Sequence, residues 1–292
     1  MDGILLIDKA EAMTSAQAVS AVKSRLGGPK VGHLGTLDPA ATGLLPLCVG
    51  AGTKVAQFLS VSRKGYEGIL KLGVETDTLD AVGRTVRTAA VPEVADEDLA
   101  VLARRFTGRQ RQVPPMYSAI KRRGVALYKL ARKGLEVERE PRAVEIFSLS
   151  LEKRAGDEIA FEVLCSKGTY VRSLAADLGR ALGCGAHLLR LRRTLFGPFS
   201  VGSAVSVEEV SAPVSPDAPF FVSVRRALVG YREVTVGPDL VAPLRQGRQA
   251  VLQRLGLIGG CEGEVVQLVS ESGESVALIR KEAACWRLAR VL

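Results

Sequence analysis

One carboxylate, that of Asp38, lies in a glycine-rich segment where it could act on a bound ligand. The glycines between Gly32 and Pro46 allow a tight turn and a close approach of the backbone to that ligand. A carboxylate in such a loop can act as a nucleophile or as a general base. Because Pro39 follows directly, Asp38 could equally be the N-cap of a helix that begins with proline. The pattern alone leaves both interpretations open.

The histidines and cysteines give little support to metal or disulfide chemistry. The five cysteines form no C-x-x-C pair, and the two histidines, His33 and His187, are far apart in the sequence. A zinc site or a disulfide framework requires tighter spacing. The composition therefore predicts no catalytic metal, although it leaves Asp and Glu ligands open.

Positive charge is concentrated in one part of the chain. The net charge is +9, and the segment from Val101 to Arg154 contains 14 Lys and Arg against 5 Glu and no Asp, which gives +9 by itself. Concentrated positive charge is typical of proteins that bind a polyanion through its phosphates. The alternative is an ordinary solvated surface.

Hydrophobic spacing and capping signals predict the elements around Asp38. An apolar run predicts a buried strand over Gly3 to Asp8, and Thr14 with Ser15 can cap a helix over Ala16 to Leu26. The other predicted elements are strands over 64–74, 85–88, 144–151 and 159–165, helices over 96–106 and 170–182, and a loop over 31–46.

The last part of the chain changes character after a Ser- and Pro-rich break at 211–219. A short helix is predicted up to about residue 230, followed by short strand-like pieces separated by glycine, which are typical of a small β-barrel-like module. We therefore expect an α+β protein with a large domain over 1–230, a basic insertion at about 107–140, and a small domain over 231–292.

No apolar run approaches the length of a membrane span, and the first residues lack the basic region and cleavage site of a signal peptide. These features predict a soluble protein of the cytoplasm.

The segment around Asp38 reads G-H-x-G-x-L-D-P-x-A-T-G-x-L-P over Gly32 to Pro46. It resembles the catalytic loop of the TruB family, the tRNA pseudouridine-55 synthases. Further segments resemble that family in the same order: Lys64–Tyr66, Thr76–Gly83, Gln112–Lys121, Leu127–Gly134, Lys167–Leu174 and His187–Arg193.

The resemblance implies that Asp38 is the catalytic aspartate in the isomerisation of uridine to pseudouridine, without cofactor or metal. Tyr66 is similar to the residue that stacks on the flipped base, Tyr170 to a pocket tyrosine that could move a proton at C5, and Arg172 to the arginine that keeps the aspartate ionised. Read without the resemblance, the two tyrosines would be core residues and Arg172 an ordinary basic helix residue.

The resemblance also implies a set of RNA-binding residues. His33 is similar to a residue that wedges into the RNA loop, Lys9 to a lysine near the active site, and Leu191 to an apolar pocket wall, where a place in a helix core is the alternative. Tyr117 and Lys121 belong to the basic insertion, which would close over the T-loop of tRNA and contact its phosphates.

The implied fold is a large mixed-sheet catalytic domain with an RNA-gripping insertion and a PUA-like C-terminal domain. The implied partner is tRNA, and no protein partner is implied, so we expect a monomer. One departure is Ala10, where the family usually has proline after Asp-Lys. The change loosens that turn without removing a chemical group.

Three other functions stay open at this point. The chain could be a guide-RNA-dependent pseudouridine synthase, a non-catalytic tRNA-folding chaperone, or a nucleoside hydrolase or ribosyltransferase that uses the same aspartate. The intact basic insertion argues against the first and the last, and the presence of all four catalytic residues argues against the second.

Overall fold

A mixed β-sheet of ten strands forms the frame of the computed structural model between Gly3 and Ser223. The structure describes residues 1–60, 63–118, 120–122, 124–257, 259–283 and 285–292.

In chain order, the strands are β1 (Gly3–Lys9), β2 (Val31–His33), β3 (Thr42–Val49), β4 (Lys64–Leu72), β5 (Val74–Thr76), β6 (Thr85–Thr88), β7 (Gly108–Gln112), β8 (Lys121–Arg122), β9 (Val125–Ala126), β10 (Arg142–Lys153), β11 (Glu158–Cys165), β12 (Ala186–Phe196), β13 (Phe199–Ser200), β14 (Phe221–Ser223), β15 (Arg232–Val236), β16 (Val265–Ser270), β17 (Ser275–Glu282) and β18 (Cys285–Val291). The helices are α1 (Ser15–Arg25), α2 (Gly52–Leu59), α3 (Asp96–Phe106), α4 (Leu127–Ala131), α5 (Val171–Ala181), α6 (Val224–Ala227) and α7 (Pro238–Arg245), with two 3₁₀ helices at Val201–Ser203 and Gln249–Leu255.

The large sheet has the strand order β14-β1-β3-β12-β4-β11-β10-β7, with β2 beside β3 and β13 beside β12. Its pairs are antiparallel except for β3 and β12, which run parallel at Thr42 and Gly43. This single parallel pair places the start of β3, and therefore the loop that contains Asp38, at the centre of the sheet beside β12.

One face of the sheet is covered by α1, α3 and α5. Alternate residues of β4 and β11, such as Leu70 and Phe161, point into this core because side chains alternate along a strand. They pack against Ala18 of α1, Leu99 of α3 and Leu174 of α5. Leu37 and Ala41 of the Asp38 loop belong to the same core, so the loop and α5 pack on one layer.

A second sheet follows the large one, in the order β15-β16-β17-β18. It has its own core and docks on the large domain through Leu278, and the Tyr231 hydroxyl donates a hydrogen bond to the Phe58 carbonyl at 2.8 Å. Within the described ranges this sheet is open, so the barrel-like form expected from the sequence is not confirmed.

The sequence-based expectation of an α+β protein with a large mixed sheet is confirmed, and the helix predicted over 96–106 has those bounds. The expected loop over 31–46 is wrong in part, because it contains β2 and the first half of β3. The strand was missed because proline, which cannot donate to a ladder, argues against a central strand. The Pro46 carbonyl still accepts a hydrogen bond from the Leu34 amide at 2.9 Å.

Strand β12 was not predicted, and Leu191 belongs to this strand and not to a helix core. Three arginines interrupt its apolar pattern, and their partners are distant in sequence. Arg192 forms a two-pronged ion pair with Asp8 on β1 (3.0 and 2.6 Å), and Arg193 is fully buried.

The basic insertion is only partly a separate arm. Its first residues form β7 at the edge of the large sheet, and the rest forms the β8–β9 hairpin and α4. Ala119 and Arg123, which belong to the predicted insertion, lie outside the described residues. Across the described parts of the chain, no helix has the length and hydropathy needed to cross a membrane.

Candidate active site

The loop that contains Asp38 is fixed from behind by two side chains. The Ser15 hydroxyl accepts a hydrogen bond from the Leu37 amide at 2.9 Å and donates one to the Leu37 carbonyl at 3.0 Å. The Lys9 ammonium donates to the carbonyl of Pro39 at 3.2 Å. These contacts place the loop on the ends of β1 and α1, so that the Asp38 carboxylate has a defined position.

Asp38 does not cap a helix. A single turn follows it, closed by a hydrogen bond from the Ala41 amide to the Asp38 carbonyl at 3.0 Å, and the chain then enters β3. The helix-cap interpretation of Asp38 and Pro39 is therefore wrong. The Asp38 side chain remains 47% exposed, so its carboxylate can meet a ligand.

Arg172, on the first turn of α5, forms an ion pair with Asp38. Its Nε lies 3.0 Å from Asp38 Oδ2, and its Nη1 lies 3.6 Å from Asp80 Oδ2. The guanidinium also donates to the carbonyls of Thr78 (3.0 Å) and Tyr117 (2.8 Å). One buried cation thus lies between two carboxylates, and four contacts fix its position beside Asp38.

Tyr66 lies on β4, which is separated from β3 by β12, and it is close enough to Asp38 to be affected by its charge. Burial raises the pKa of the Tyr66 phenol, the Arg193 guanidinium lowers it, and the negative charge of Asp38 adds to the increase. Arg193 is itself fixed by hydrogen bonds to the carbonyls of Leu44 (2.6 Å) and Gly35 (3.0 Å). The Tyr66 ring therefore forms a rigid, neutral wall next to the carboxylate.

Tyr170 precedes α5 and is fixed through its backbone. The Tyr170 amide donates to Gln112 Oε1 at 2.8 Å, and Gln112 Nε2 donates back to the Tyr170 carbonyl at 3.0 Å. The Ser173 hydroxyl adds a bond to the Val113 carbonyl at 3.0 Å. The start of the basic insertion and the start of α5 thus form one unit.

Asp80 and Gln112 were not among the residues singled out from the sequence. Both lie inside segments that resemble the family, and that was the only available signal. A carboxylate in a turn and an amide next to two prolines look like ordinary surface residues until Arg172 and Tyr170 are placed against them.

His33 and Leu191 lie near the loop. His33 ends β2, and its Nδ1 is buried with no hydrogen-bond partner among the described residues. Burial and the charge of Arg193 lower the pKa of His33. Leu191 is half-buried, and together with Thr42 and Gly68 it lines a groove of about 750 Å³ whose described lining does not include Asp38.

Lys9, Tyr117 and Lys121 have different environments. Lys9 is fully buried, which makes it a positioning residue for the loop. Tyr117 reaches the site through its carbonyl, and its side chain is half-buried. Lys121 is exposed on the β8–β9 hairpin.

Removal of the Lys9 ammonium should destabilise the whole chain. Its Nζ donates to the carbonyls of Ala10 (2.8 Å), Met13 (2.7 Å) and Pro39 (3.2 Å). In Lys9→Met these three carbonyls lose their common donor and β1 loses its contact with the loop, so we expect the free energy of unfolding to fall by about 1–3 kcal/mol. Urea unfolding measures this change. The control is Lys23→Met on the exposed side of α1, and an equal loss in both variants would contradict the prediction.

Comparisons with known proteins agree with this arrangement. The family described as TruB family pseudouridylate synthase (N terminal domain) matches residues 23–171, and the family described as tRNA pseudouridylate synthase B C-terminal domain matches residues 172–217.

Similar curated proteins are named tRNA pseudouridine synthase B. One from Geotalea uraniireducens (strain Rf4) is 51% identical over 209 residues, covering 72% of this chain and 67% of the relative. Another from Syntrophus aciditrophicus (strain SB) is 40% identical over 285 residues, covering 96% and 91%.

Among solved structures, the crystal structure of a Cbf5-Nop10-Gar1 complex matches with a TM-score of 0.75 at 24% identity, covering 99% of this chain and 83% of that chain. At this identity the likeness concerns the fold alone.

Proposed function

Because the chain belongs to the TruB family of pseudouridylate synthases, we propose that it isomerises one uridine of tRNA to pseudouridine, at position 55 in the T-loop. The observation that supports this most directly is the Asp38 carboxylate, which is half-exposed, paired with buried Arg172 and flanked by Tyr66. The same proposal includes a monomer that acts in the cytoplasm without a protein partner.

The reaction breaks the bond between C1′ and N1 of the uridine and joins C1′ to C5 of the same base. N1 gains a proton and C5 loses one, so the atoms balance without a redox partner. Asp38 can attack C1′, attack C6 of the uracil, or first act as a base on the sugar. Each role requires an ionised carboxylate, and the Arg172 guanidinium lies 3.0 Å from Asp38 Oδ2 as its counter-charge.

The target base must leave the stacked T-loop before it can reach Asp38. Base flipping costs a few kcal/mol, which contacts in the pocket must offset. The Tyr66 ring supplies a stacking surface, and Leu191 an apolar wall. Tyr170 supplies a hydroxyl for the proton that leaves C5. His33 lies at the end of β2, where it can wedge between bases as the uridine turns out.

The tRNA contacts are assigned to two further parts of the chain. The basic insertion, with Tyr117 and Lys121, would grip the T-loop phosphates. Residues 231–292 would form a second RNA-binding module, separate from a catalytic domain over 1–230. The last strand of the large sheet ends at Ser223 and the first strand of the second sheet begins at Arg232, which supports this division.

The test of the proposal uses an unmodified tRNA transcript with no guide RNA and with EDTA in place of added metal. We expect pseudouridine at a single T-loop uridine, mapped by chemical derivatisation and primer extension, at the same rate with and without EDTA. Modification only with a guide RNA would favour the guide-dependent function. Binding without modification would favour the chaperone, and release of free uracil would favour the hydrolase.

A further inference from the structure

Three positively charged side chains lie close together beside the Asp38 loop, and no carboxylate pairs with them. Lys64 on β4, Lys167 before α5 and Arg193 on β12 form this group, which we call the basic pocket. Among the described residues, none of the three forms an ion pair with Asp or Glu. The other arginines of the site differ, because Arg172 and Arg192 each contact two carboxylates.

The side chain of Lys64 is fixed at the centre of this pocket. Its Nζ lies 4.9 Å from the centre of the Phe196 ring, and the Arg193 Cζ lies 5.3 Å from the same centre. Gly35 has a φ of +66°, and a Cβ at this position would lie 3.5 Å from Lys64 Cε and 3.3 Å from Arg193 Nη1. Because residue 35 has no side chain, Lys64 stays partly exposed on this side, whereas Arg193 is fully buried behind it.

Among the described residues, no Asp or Glu contributes to the electrostatics of Lys64. Burial raises the pKa of the Cys165 thiol to about 11 and also raises the pKa of Tyr66, so both groups are neutral at pH 7. Burial and the charges of Arg193 and Lys167 lower the pKa of Lys64 to about 8, and the ammonium is therefore still mostly protonated at pH 7. Like charges brought together repel each other unless an anion joins them.

We propose that Lys64 and Lys167, with Arg193 behind them, bind one backbone phosphate of the RNA next to the flipped uridine. This inference rests on the proposed function. Lys64 and Tyr66 are two residues apart on β4, and at a rise of about 3.3 Å per residue they lie about 7 Å apart on the same face. If Tyr66 stacks on the flipped base, Lys64 is within reach of the phosphate of that nucleotide or of its neighbour.

The first test is the salt dependence of RNA binding by the full chain. All proteins contain Asp38→Asn, so the RNA is not turned over. A lost phosphate contact reduces the slope of log K against log salt by about 0.7–0.9. We expect this reduction for Lys64→Met but not for Lys64→Arg, which keeps the charge. The control is Lys71→Met on the same strand, since Lys71 is paired with Asp157.

The second test locates the phosphate. A set of T-stem-loop RNAs has one methylphosphonate linkage each, which removes a single negative charge. We expect one linkage beside the target uridine to weaken binding at least fivefold with Lys64 present and less than twofold in Lys64→Met. Equal losses in both proteins at every linkage would overturn the proposal. If inorganic phosphate competes with the RNA but no single linkage affects binding, the pocket binds a free anion. That result would also overturn the proposal.

The pH dependence of binding gives an independent prediction. Above pH 8 the Lys64 ammonium loses its proton and with it the attraction for phosphate, so RNA affinity should fall between pH 7 and pH 9. Of the groups that face Lys64, burial raises the pKa of the Cys165 thiol to about 11 and also raises the pKa of Tyr66, so neither gains a negative charge over this range. In Lys64→Arg the affinity should be flat over this range, measured by filter binding; an equal fall in both proteins would contradict the role of Lys64.

Two controls separate this inference from the proposed function. The chain without substitutions must form pseudouridine in the unmodified T-stem-loop; if it does not, the proposed function fails, whatever the binding slopes show. If Lys64→Met unfolds at a much lower temperature, Lys167→Met replaces it, because Lys167 is exposed and not part of the core. An unchanged slope in a folded Lys167→Met would then count against the basic pocket.

Discussion

The Asp38→Asn variant should form pseudouridine at least about 10³-fold more slowly than the parent chain, because the amide can act neither as a nucleophile nor as a base. The structure indicates that this loss falls on kcat. The loop is fixed by Ser15 and Lys9, not by the Asp38 side chain, so the geometry should survive the exchange. Its affinity for tRNA should be unchanged or slightly tighter, since one negative charge leaves a surface that binds a polyanion.

Single-turnover assays on an unmodified transcript, together with filter binding, separate these two quantities. The matched control is Asp157→Asn, which removes an exposed carboxylate paired with Lys71 at 3.7 Å and should leave both quantities within twofold. If Asp38→Asn formed pseudouridine at the wild-type rate, Asp38 would have no role in the chemistry and only a structural role in the loop.

The Arg172→Lys variant should lose about 10²–10³-fold in kcat although it keeps the positive charge. The guanidinium contacts Asp38, Asp80 and the carbonyls of Thr78 and Tyr117 together, and a lysine ammonium cannot reach all four groups. Asp38 would then lose its fixed orientation, and a displacement of the reacting group by about 1 Å can cost 10²-fold.

The matched control for this variant lies on the same helix. Arg180 is exposed and forms an ion pair with Asp177 at 2.9 Å, so Arg180→Lys should change kcat by less than twofold. The readout is kcat and KM measured separately. A rise in KM with an unchanged kcat would contradict the prediction, because it would place Arg172 in tRNA binding and not in the orientation of Asp38.

Local sequence signals predicted those elements whose stabilising contacts are close in the chain. Helix α3 has three acidic residues in its first turn, two arginines in its last turn and apolar residues on one side, and its bounds followed from these features. Helix α1 begins after Thr14, which forms a capping box with Gln17. Such signals lie within a few residues of the element that they define.

The elements that were missed depend on distant partners. In β12 the apolar pattern is interrupted by Arg192, which is paired with Asp8, and by Arg193, which donates to the carbonyls of Leu44 and Gly35. Without those partners a segment so rich in arginine resembles an exposed surface. The roles of Asp80 and Gln112 were missed for the same reason, because their partners Arg172 and Tyr170 are far away in the sequence.

By itself the sequence determined the bounds of locally stabilised elements such as α3, because residue types and spacing are local properties. The order of the functional segments and the choice of Asp38 as the residue to examine came from the resemblance to the TruB family, since the spacing around Asp38 left two interpretations open. Only the tertiary structure decided that Asp38 caps no helix, that Arg172 lies between Asp38 and Asp80, and that Lys9 is buried under the loop. These are contacts between residues far apart in the chain. They form only when the sheet brings β1, β3, β4 and α5 together.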